Sequence, residues 1–286
     1  MRPTGAAVLL AGKKLLITGV LTKRSIAYAA AQLAQQEGAE VILTSFGRAL
    51  PITRRVAEDL PYPCEVWELD LTRPDQLAAV ADALDARWGA LDGLLHAAAF
   101  APPTALDGGF LHTSWEDVAR VMQVSTYSFP ALTRACAPLL ATAGGGSVVG
   151  LDFDAGQAWP GYDWMGVAKA GLESCCRYLA HALGPQGTRV NLVAAGPLRT
   201  VAATAIDSFD VLHETWTRRS PLPWDSVDAT PVGRAVCALW SDWLPAVTGE
   251  VLHVDGGVHA VAAAVPREAD TGSPRRTERD GSTVVS

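Results

Sequence analysis

A tyrosine and a lysine stand seven positions apart in the segment GYDWMGVAK, which runs from Gly161 to Lys169. On a helix, seven positions make almost two turns, so Tyr162 and Lys169 would share one face, roughly 10 Å apart along the axis. A phenol O–H can stabilise a developing oxyanion on a substrate, while the lysine, deeper along the helix, can grip a cofactor. The alternative is an ordinary amphipathic helix with one exposed lysine, and the pair by itself leaves both interpretations open.

The segment TGVLTKRSIA is a second candidate for chemistry, because it joins an apolar run to an alanine-rich helix. A common dinucleotide fingerprint has three glycines, and only Gly19 is present here. Ser25 opens the helix, where its hydroxyl and the free backbone N–H groups can hold a phosphate, although an N-cap role alone also explains a serine. The turn therefore predicts a nucleotide site, with a plain strand–turn–helix connection as the alternative.

The segment TSFGR, after the second apolar run, bears on which nucleotide would bind. An acid at this point usually accepts the adenosine ribose hydroxyls and selects NAD, and none is present. Arg48 offers a charge for a 2′-phosphate, which would favour NADP, but a solvated arginine is the simpler interpretation.

Apolar runs alternate with helical patterns along the chain, and the runs lack polar alternation. This pattern predicts an α/β fold with one Rossmann-like, doubly wound parallel sheet and helices on both faces. Strands are predicted at 14–19, 39–46, 64–71, 91–100, 144–153 (after a turn), 188–196 and 249–257. Helices are predicted at 25–38, 52–60, 74–89, 114–140, 162–187 and 230–243. Ligands bind beyond the carboxyl ends of such strands, which makes the residues after each strand the functional candidates.

Composition limits the classes of protein to which the chain can belong. Its 286 residues, 49% of them hydrophobic, suffice for one sizeable domain, and the net charge of -7 without a dense basic run disfavours nucleic acid as a partner. No apolar segment approaches the ~20 residues that span a bilayer, and no signal peptide is evident, so a cytoplasmic location is predicted. The five scattered cysteines form neither a disulfide framework nor a zinc pattern, and no metal site is predicted.

The chain divides into three predicted parts. Residues 1–11 form an N-terminal extension, 12–261 form the Rossmann-fold domain, and 262–286 form a tail. The tail is polar and mixed in charge, with almost no large apolar residue, so it is predicted to be disordered.

With these segments in view, the chain resembles the short-chain dehydrogenase/reductase superfamily, and within it the enoyl-acyl-carrier-protein reductases of the mycobacterial, NADH-dependent type. Ordinary superfamily members carry Tyr-x-x-x-Lys and an upstream serine, but here those slots hold Met165 and Asp152. Enoyl reductases use tyrosine, six residues and lysine, as at Tyr162 and Lys169. The resemblance runs from about Gly12 to His259 and includes GVLTKRSIA, GGSVVGLDFD, YDWMGVAKAGLES, NLVAAGPLRT and SDWLPAVTGEVLHVDGG.

The resemblance implies a set of site residues by position. Tyr162, Lys169 and Phe153 would be catalytic, and Phe153, Tyr162 and Met165 would face the substrate. The cofactor-binding set would be Gly19, Val20, Ser25, Ile26, Phe46, Asp70, Leu71, Ala98, Lys169, Gly196, Pro197, Leu198 and Thr200. NADH is the implied cofactor, with NADPH less favoured, and a homotetramer is the implied assembly.

The implied reaction is reduction of a trans-2-enoyl thioester, carried by acyl carrier protein or CoA. Hydride is delivered to Cβ, and Tyr162 stabilises the resulting enolate. Two departures from the family pattern keep alternatives open. Alanines occupy positions 97–99, where the family usually has a serine and a glycine, and the substrate-covering segment at about 200–224 is shorter than in the mycobacterial branch. A reductase of another conjugated or imine substrate and a non-catalytic cofactor- or inhibitor-binding paralogue are therefore the alternative functions.

Overall fold

The structure is a computed structural model that describes residues 8–201, 203 and 207–263. All but the first two residues of the predicted tail, 262–286, lie outside the described residues. Leu10, which belongs to the predicted N-terminal extension, is fully buried in the core. None of the helices in these ranges combines the length and the apolarity that crossing a bilayer requires.

Seven parallel strands form one sheet in the order β3-β2-β1-β4-β5-β6-β7. Strands β2 and β3 are added on one side of β1, and strands β4 to β7 are added on its other side, as in a doubly wound fold. The strands are β1 (Lys14–Thr18), β2 (Glu40–Ser45), β3 (Glu65–Glu68), β4 (Gly93–His96), β5 (Ser147–Asp152), β6 (Arg189–Ala195) and β7 (Val251–Val254).

Helices cover both faces of the sheet, because side chains of each strand point alternately to either side. Leu15 and Ile17 of β1 pack into a core with the helices at Ile26–Gln36 and Thr230–Trp240. Leu16 between them packs into a second core with the helices at Pro74–Trp88, Ser128–Thr142 and Asp163–Leu183. The predicted fold class is therefore confirmed. The helices are α1 (Ile26–Gln36), α2 (Leu50–Ala57), α3 (Pro74–Trp88), α4 (Trp115–Met122), α5 (Ser128–Thr142), α6 (Asp163–Leu183), α7 (Phe209–Arg219) and α8 (Thr230–Trp240).

Four elements differ from the prediction. The predicted strands at 64–71 and 91–100 end early, at Glu68 and His96, so the residues that follow are free to form loops over the site. The helical region predicted at 114–140 is interrupted by a π-helical turn at Gln123–Tyr127. Helix α7, which lies within the predicted covering segment, was not predicted.

The sheet centre leaves no room for a side chain at Gly93. A Cβ there would lie 2.8 Å from Cδ1 of Trp240, 2.9 Å from the Ser147 carbonyl oxygen and 3.0 Å from Cδ2 of Leu15. We expect Gly93→Ala to lower the free energy of unfolding by about 1–3 kcal/mol through overpacking. Gly184→Ala is the control, because a Cβ there meets nothing within 4 Å and φ is -54°. Urea unfolding checks the pair, and equal stability of the two variants would contradict the packing argument.

Candidate active site

The carboxyl end of β5 brings the tyrosine and the lysine to one place. Lys169 lies in the second turn of α6 and is buried, and its Nζ donates a hydrogen bond of 2.8 Å to the Leu151 carbonyl oxygen. Tyr162 immediately precedes α6, and its ring lies 5.0 Å from the ring of Phe153, centroid to centroid. Because Leu151 and Phe153 flank the last residue of β5, one strand end anchors both candidate catalytic side chains.

Lys169 is not the exposed lysine of an ordinary amphipathic helix. Its Nζ lies 4.0 Å from Oδ1 of Asp152, beyond hydrogen-bond distance, and neither carboxylate oxygen of Asp152 has a hydrogen-bond partner among the described residues. Burial lowers the pKa of Lys169, and the charge of Asp152 opposes this. Burial likewise raises the pKa of Asp152 to about 7, against the opposing charge of Lys169. Burial thus favours the neutral form of each group, while their mutual attraction favours the charged form.

Tyr162 lies in a buried aromatic cluster with Phe153, Trp159 and Trp216. The Phe153 ring lies 5.6 Å from Trp159 and 5.4 Å from Trp216, and the two tryptophan rings are 4.9 Å apart. Met165 is buried in the same cluster, as the predicted wall beside Tyr162. Burial, with a smaller contribution from the Asp152 charge, raises the pKa of Tyr162 far above its ordinary value. The phenol therefore keeps its proton at neutral pH and is available as a hydrogen-bond donor.

The turn after β1 is packed against the turn after β4. Gly19 has φ +82°, and a Cβ on it would overlap the carbonyl oxygen of Ala97. Thr18 links the end of β1 to the end of β4, because its Oγ1 donates to the Leu95 carbonyl oxygen and accepts from the Ala97 N–H at 2.9 Å. Gly19 is thus required for packing between two turns of the protein, whether or not a ligand also approaches it.

The alternative interpretation of Ser25, an N-cap role alone, does not hold, because its side chain does not cap α1. Its Oγ accepts hydrogen bonds from the preceding turn, from Leu21 N at 3.1 Å and Thr22 N at 3.0 Å, and no side-chain cap bond is formed. The hydroxyl hydrogen is consequently directed away from those two amides and can be donated elsewhere. Among the residues that the structure describes, no side chain accepts from the N-terminal amides of α1, so this end of the helix suits an anion.

A cavity of about 310 Å³ adjoins the start of α1 and carries excess positive charge. Its lining comprises Thr22, Lys23, Arg24, Arg199, Thr200 and Val201. Lys23 is paired with Asp59 at 2.9 Å and Arg199 with Asp210 at 3.4 Å, so part of this charge is balanced. Hydroxyl donors and guanidinium groups beside a helix N-terminus fit the pyrophosphate of a dinucleotide.

The residues predicted for the adenosine end occupy separate strand ends. Phe46 follows β2 and is 51% exposed, which leaves its ring face free to lie against an adenine or ribose. Asp70 follows β3, and its Oδ1 accepts from the Thr72 N–H and hydroxyl. Leu71 is half-buried beside it, and Ala98 is half-buried in the loop after β4.

The remaining predicted cofactor residues are buried or half-buried. Val20 and Leu198 are buried in the core, and Ile26 packs against that core. Gly196 follows β6, and a Cβ there would lie 2.6 Å from Nε1 of Trp216. Trp224 also contacts this loop, because its Nε1 donates to the Pro197 carbonyl oxygen at 2.9 Å. Thr200 Oγ1 accepts from the Ala203 N–H at 3.2 Å.

Several residues of the site were not found from the sequence. Trp159 and Trp216 complete the aromatic cluster, and the spacing of Phe209, Leu212 and Trp216 was the helical signal that could have placed the latter. His96, the last residue of β4, is fully buried, and its Nε2 lies 2.7 Å from Ser128 Oγ. Burial and the Lys169 charge lower the pKa of His96 to about 3, so its ring is neutral.

The buried Asp152 carboxyl makes stability depend on pH. Its pKa is about 7 in the folded protein, against ~4 in an unfolded chain, so between these values only the folded state binds the proton. The free energy of unfolding contributed by this group therefore falls as pH rises from 4 to 7. We expect Asp152→Asn to gain stability relative to wild type over this range, by at most about 4 kcal/mol. The contribution of His96 to the free energy of unfolding changes with pH in the opposite direction. Because His96 is present in both proteins, this contribution largely cancels in the stability difference between them.

Urea unfolding of both proteins at pH 5 and pH 8 measures this difference. Asp82→Asn, on the exposed side of α3, controls for loss of a carboxylate. A stability difference between wild type and Asp152→Asn that is the same at both pH values would contradict the assignment.

Comparison with known proteins places the chain in a family. A family model described as enoyl-(acyl carrier protein) reductase matches residues 19–259. An enoyl-(acyl-carrier-protein) reductase (NADH) of Mycolicibacterium smegmatis is 43% identical over 263 residues, covering 87% of this chain and 97% of the relative. Proteins of the same name from Mycobacterium avium and Aquifex aeolicus are 40% and 39% identical, covering 88% of this chain in each case and 97% and 93% of those relatives. The chain belongs to the enoyl-(acyl carrier protein) reductase family.

Proposed function

We propose that this protein is an NADH-dependent reductase of trans-2-enoyl thioesters, with Tyr162 as the donor that stabilises the enolate. NADH, when bound, supplies the hydride that reduces Cβ of the substrate. Negative charge then develops on the thioester oxygen, where the Tyr162 O–H can donate a hydrogen bond. The proton that completes the reduction at Cα comes from solvent or through the tyrosine.

The observation that carries the proposal is the shared anchoring of Tyr162 and Lys169 on the end of β5. Lys169 presents a buried ammonium or amine that can hold a ribose hydroxyl, and Tyr162 presents a protonated phenol farther toward the aromatic cluster. A cofactor bound by Lys169 would thus have its reactive ring on the side of the Tyr162 phenol. Phe153 and Met165 would form the wall against which the thioester lies.

For the cofactor, the start of α1 and the basic cavity would hold the pyrophosphate, and Phe46 would flank the adenosine. The relatives described above are named as NADH enzymes, which supports NADH here. Arg48 is exposed two residues beyond Phe46 and is the one charge that the sequence suggested for an adenosine 2′-phosphate. Each assay therefore compares NADH with NADPH.

The first experiment follows NADH oxidation by absorbance with trans-2-enoyl thioesters from four carbons upward, on both CoA and acyl carrier protein. We expect turnover with NADH and much less with NADPH. No turnover on any of these thioesters, with NADH binding retained, would favour a reductase of another conjugated or imine substrate. Failure to reduce such substrates as well would favour a non-catalytic binding protein.

The assembly and the cellular location stay predictions. In the segment 237–257, which is rich in apolar and aromatic residues, Trp240 is buried in the core, whereas Trp243 is 79% exposed. Leu252 on the edge strand β7 is also exposed. These two side chains are what a subunit interface at this edge would cover, and the mass of the protein in solution tests the predicted homotetramer. A cytoplasmic location follows only from the sequence argument given above.

We expect Tyr162→Phe to reduce turnover by about 100-fold, the scale for removing one donor to a developing oxyanion. The dissociation constant for NADH should change little, because the phenol contributes to the substrate side of the site. Tyr178→Phe is the matched control, since Tyr178 lies on α6 but is 73% exposed. Steady-state kinetics and NADH titration measure the two effects. Unchanged turnover in Tyr162→Phe would remove the role assigned to the phenol.

A further inference from the structure

The two residues that precede helix α7 are bound by a carboxylate from a distant part of the chain. Its N-cap residue, Ser208, makes no side-chain cap bond. Instead Asp107 accepts one backbone N–H on each carboxylate oxygen, from Asp207 to Oδ2 and from Ser208 to Oδ1, both at 3.1 Å. A carboxylate beside the N-terminus of a helix also complements the helix dipole.

The turn at Asp107 and Gly108 binds both chain neighbours of Tyr162. The Asp107 N–H donates to the Gly161 carbonyl oxygen at 3.0 Å. The Gly108 N–H donates to Oδ2 of Asp163 at 2.6 Å. The residues before and after Tyr162 are therefore bound to consecutive residues of one turn.

Backbone conformation indicates that this arrangement is held under constraint. Among the described residues, Asp107 (φ +52°) and Asp163 (φ +41°) are the non-glycine residues with positive φ. Such a conformation costs of order 1 kcal/mol for each residue and persists where surrounding contacts enforce it. Gly161, at φ +76°, lies so close to α7 that a Cβ would overlap Ser208 Oγ and come within 2.9 Å of Asp107 Oδ1.

We propose that Asp107 is a positioning residue that fixes α7 against the turn bearing Tyr162. Helix α7 contributes Leu212 and Trp216 to the cluster around Phe153 and Tyr162. The carboxylate of Asp107 thereby sets how closely Trp216 approaches the phenol, and with it the space left for the acyl chain. This inference rests on the proposed function for the identity of the substrate, but the hydrogen bonds to α7 do not.

Position 107 allows the carboxylate to be removed cleanly. The Asp107 side chain is exposed and belongs to neither hydrophobic core, so its loss leaves no cavity. Glycine adopts positive φ without strain, so Asp107→Gly deletes the two acceptors while it keeps the backbone conformation accessible. Asp107→Asn retains one acceptor oxygen and a residue type that tolerates the same φ.

The first test is amide hydrogen exchange resolved to single residues. In Asp107→Gly we expect exchange at Asp207 and Ser208 to become about tenfold faster than in wild type, because both amides lose their acceptor. Asp107→Asn should show an intermediate rate at one of them. Glu214→Gln is the control, because it removes an exposed negative charge from α7 without touching these amides.

The second test is steady-state kinetics with the enoyl thioester that wild type turns over best. We expect kcat/KM to fall about tenfold in Asp107→Gly, mainly through KM, with the NADH dissociation constant unchanged and partial recovery in Asp107→Asn. Unchanged exchange, or faster exchange with unchanged kcat/KM, would overturn the role of Asp107. Inactivity of the wild type on every thioester would instead refute the proposed function, with the exchange result still deciding whether Asp107 holds α7.

Discussion

Burial of the Lys169 amine is the constraint on which the site depends. A buried amine is costly unless it finds partners, and Lys169 has the Leu151 carbonyl oxygen at 2.8 Å and the Asp152 carboxylate at 4.0 Å. Both partners belong to β5, so α6 cannot slide or rotate on the sheet without separating the nitrogen from them. The position of Tyr162 at the start of α6 is thereby set from a point almost two turns away.

A second set of contacts fixes Tyr162 from the opposite side. The aromatic cluster draws Phe153 from β5, Trp159 from the following turn and Trp216 from α7. Trp216 is held by two kinds of contact, because its ring packs in the cluster and its Nε1 donates a hydrogen bond to the Asp255 carbonyl oxygen at 2.9 Å. Polar anchoring at Lys169 and apolar packing at Phe153 therefore meet at the carboxyl end of one strand. This explains how a short segment can orient two groups of opposite chemical character.

Local patterns were enough to predict the sheet and most helices, because each buried strand is a continuous apolar run bounded by turn residues. The same reasoning failed where a partner lies far away in sequence. The contact between Asp107 and the start of α7 joins residues 100 positions apart, and no local periodicity encodes it. Helix α7 itself was missed despite a readable spacing of apolar residues.

Under the proposed function, the seven-residue separation of tyrosine and lysine follows from the chemistry of the substrate. In a ketone, the carbon that accepts hydride bears the oxygen that becomes charged, whereas in an enoyl thioester the charge appears on an oxygen two carbons farther along. A tyrosine at position 165 would lie about 4.5 Å nearer to Lys169 along the helix axis than one at position 162. Here Met165 fills that nearer position as a buried apolar wall, and Tyr162 stands outside the regular helix, beside a residue with positive φ. The longer spacing moves the donor away from Lys169, which we propose binds the cofactor, as the more distant oxyanion requires.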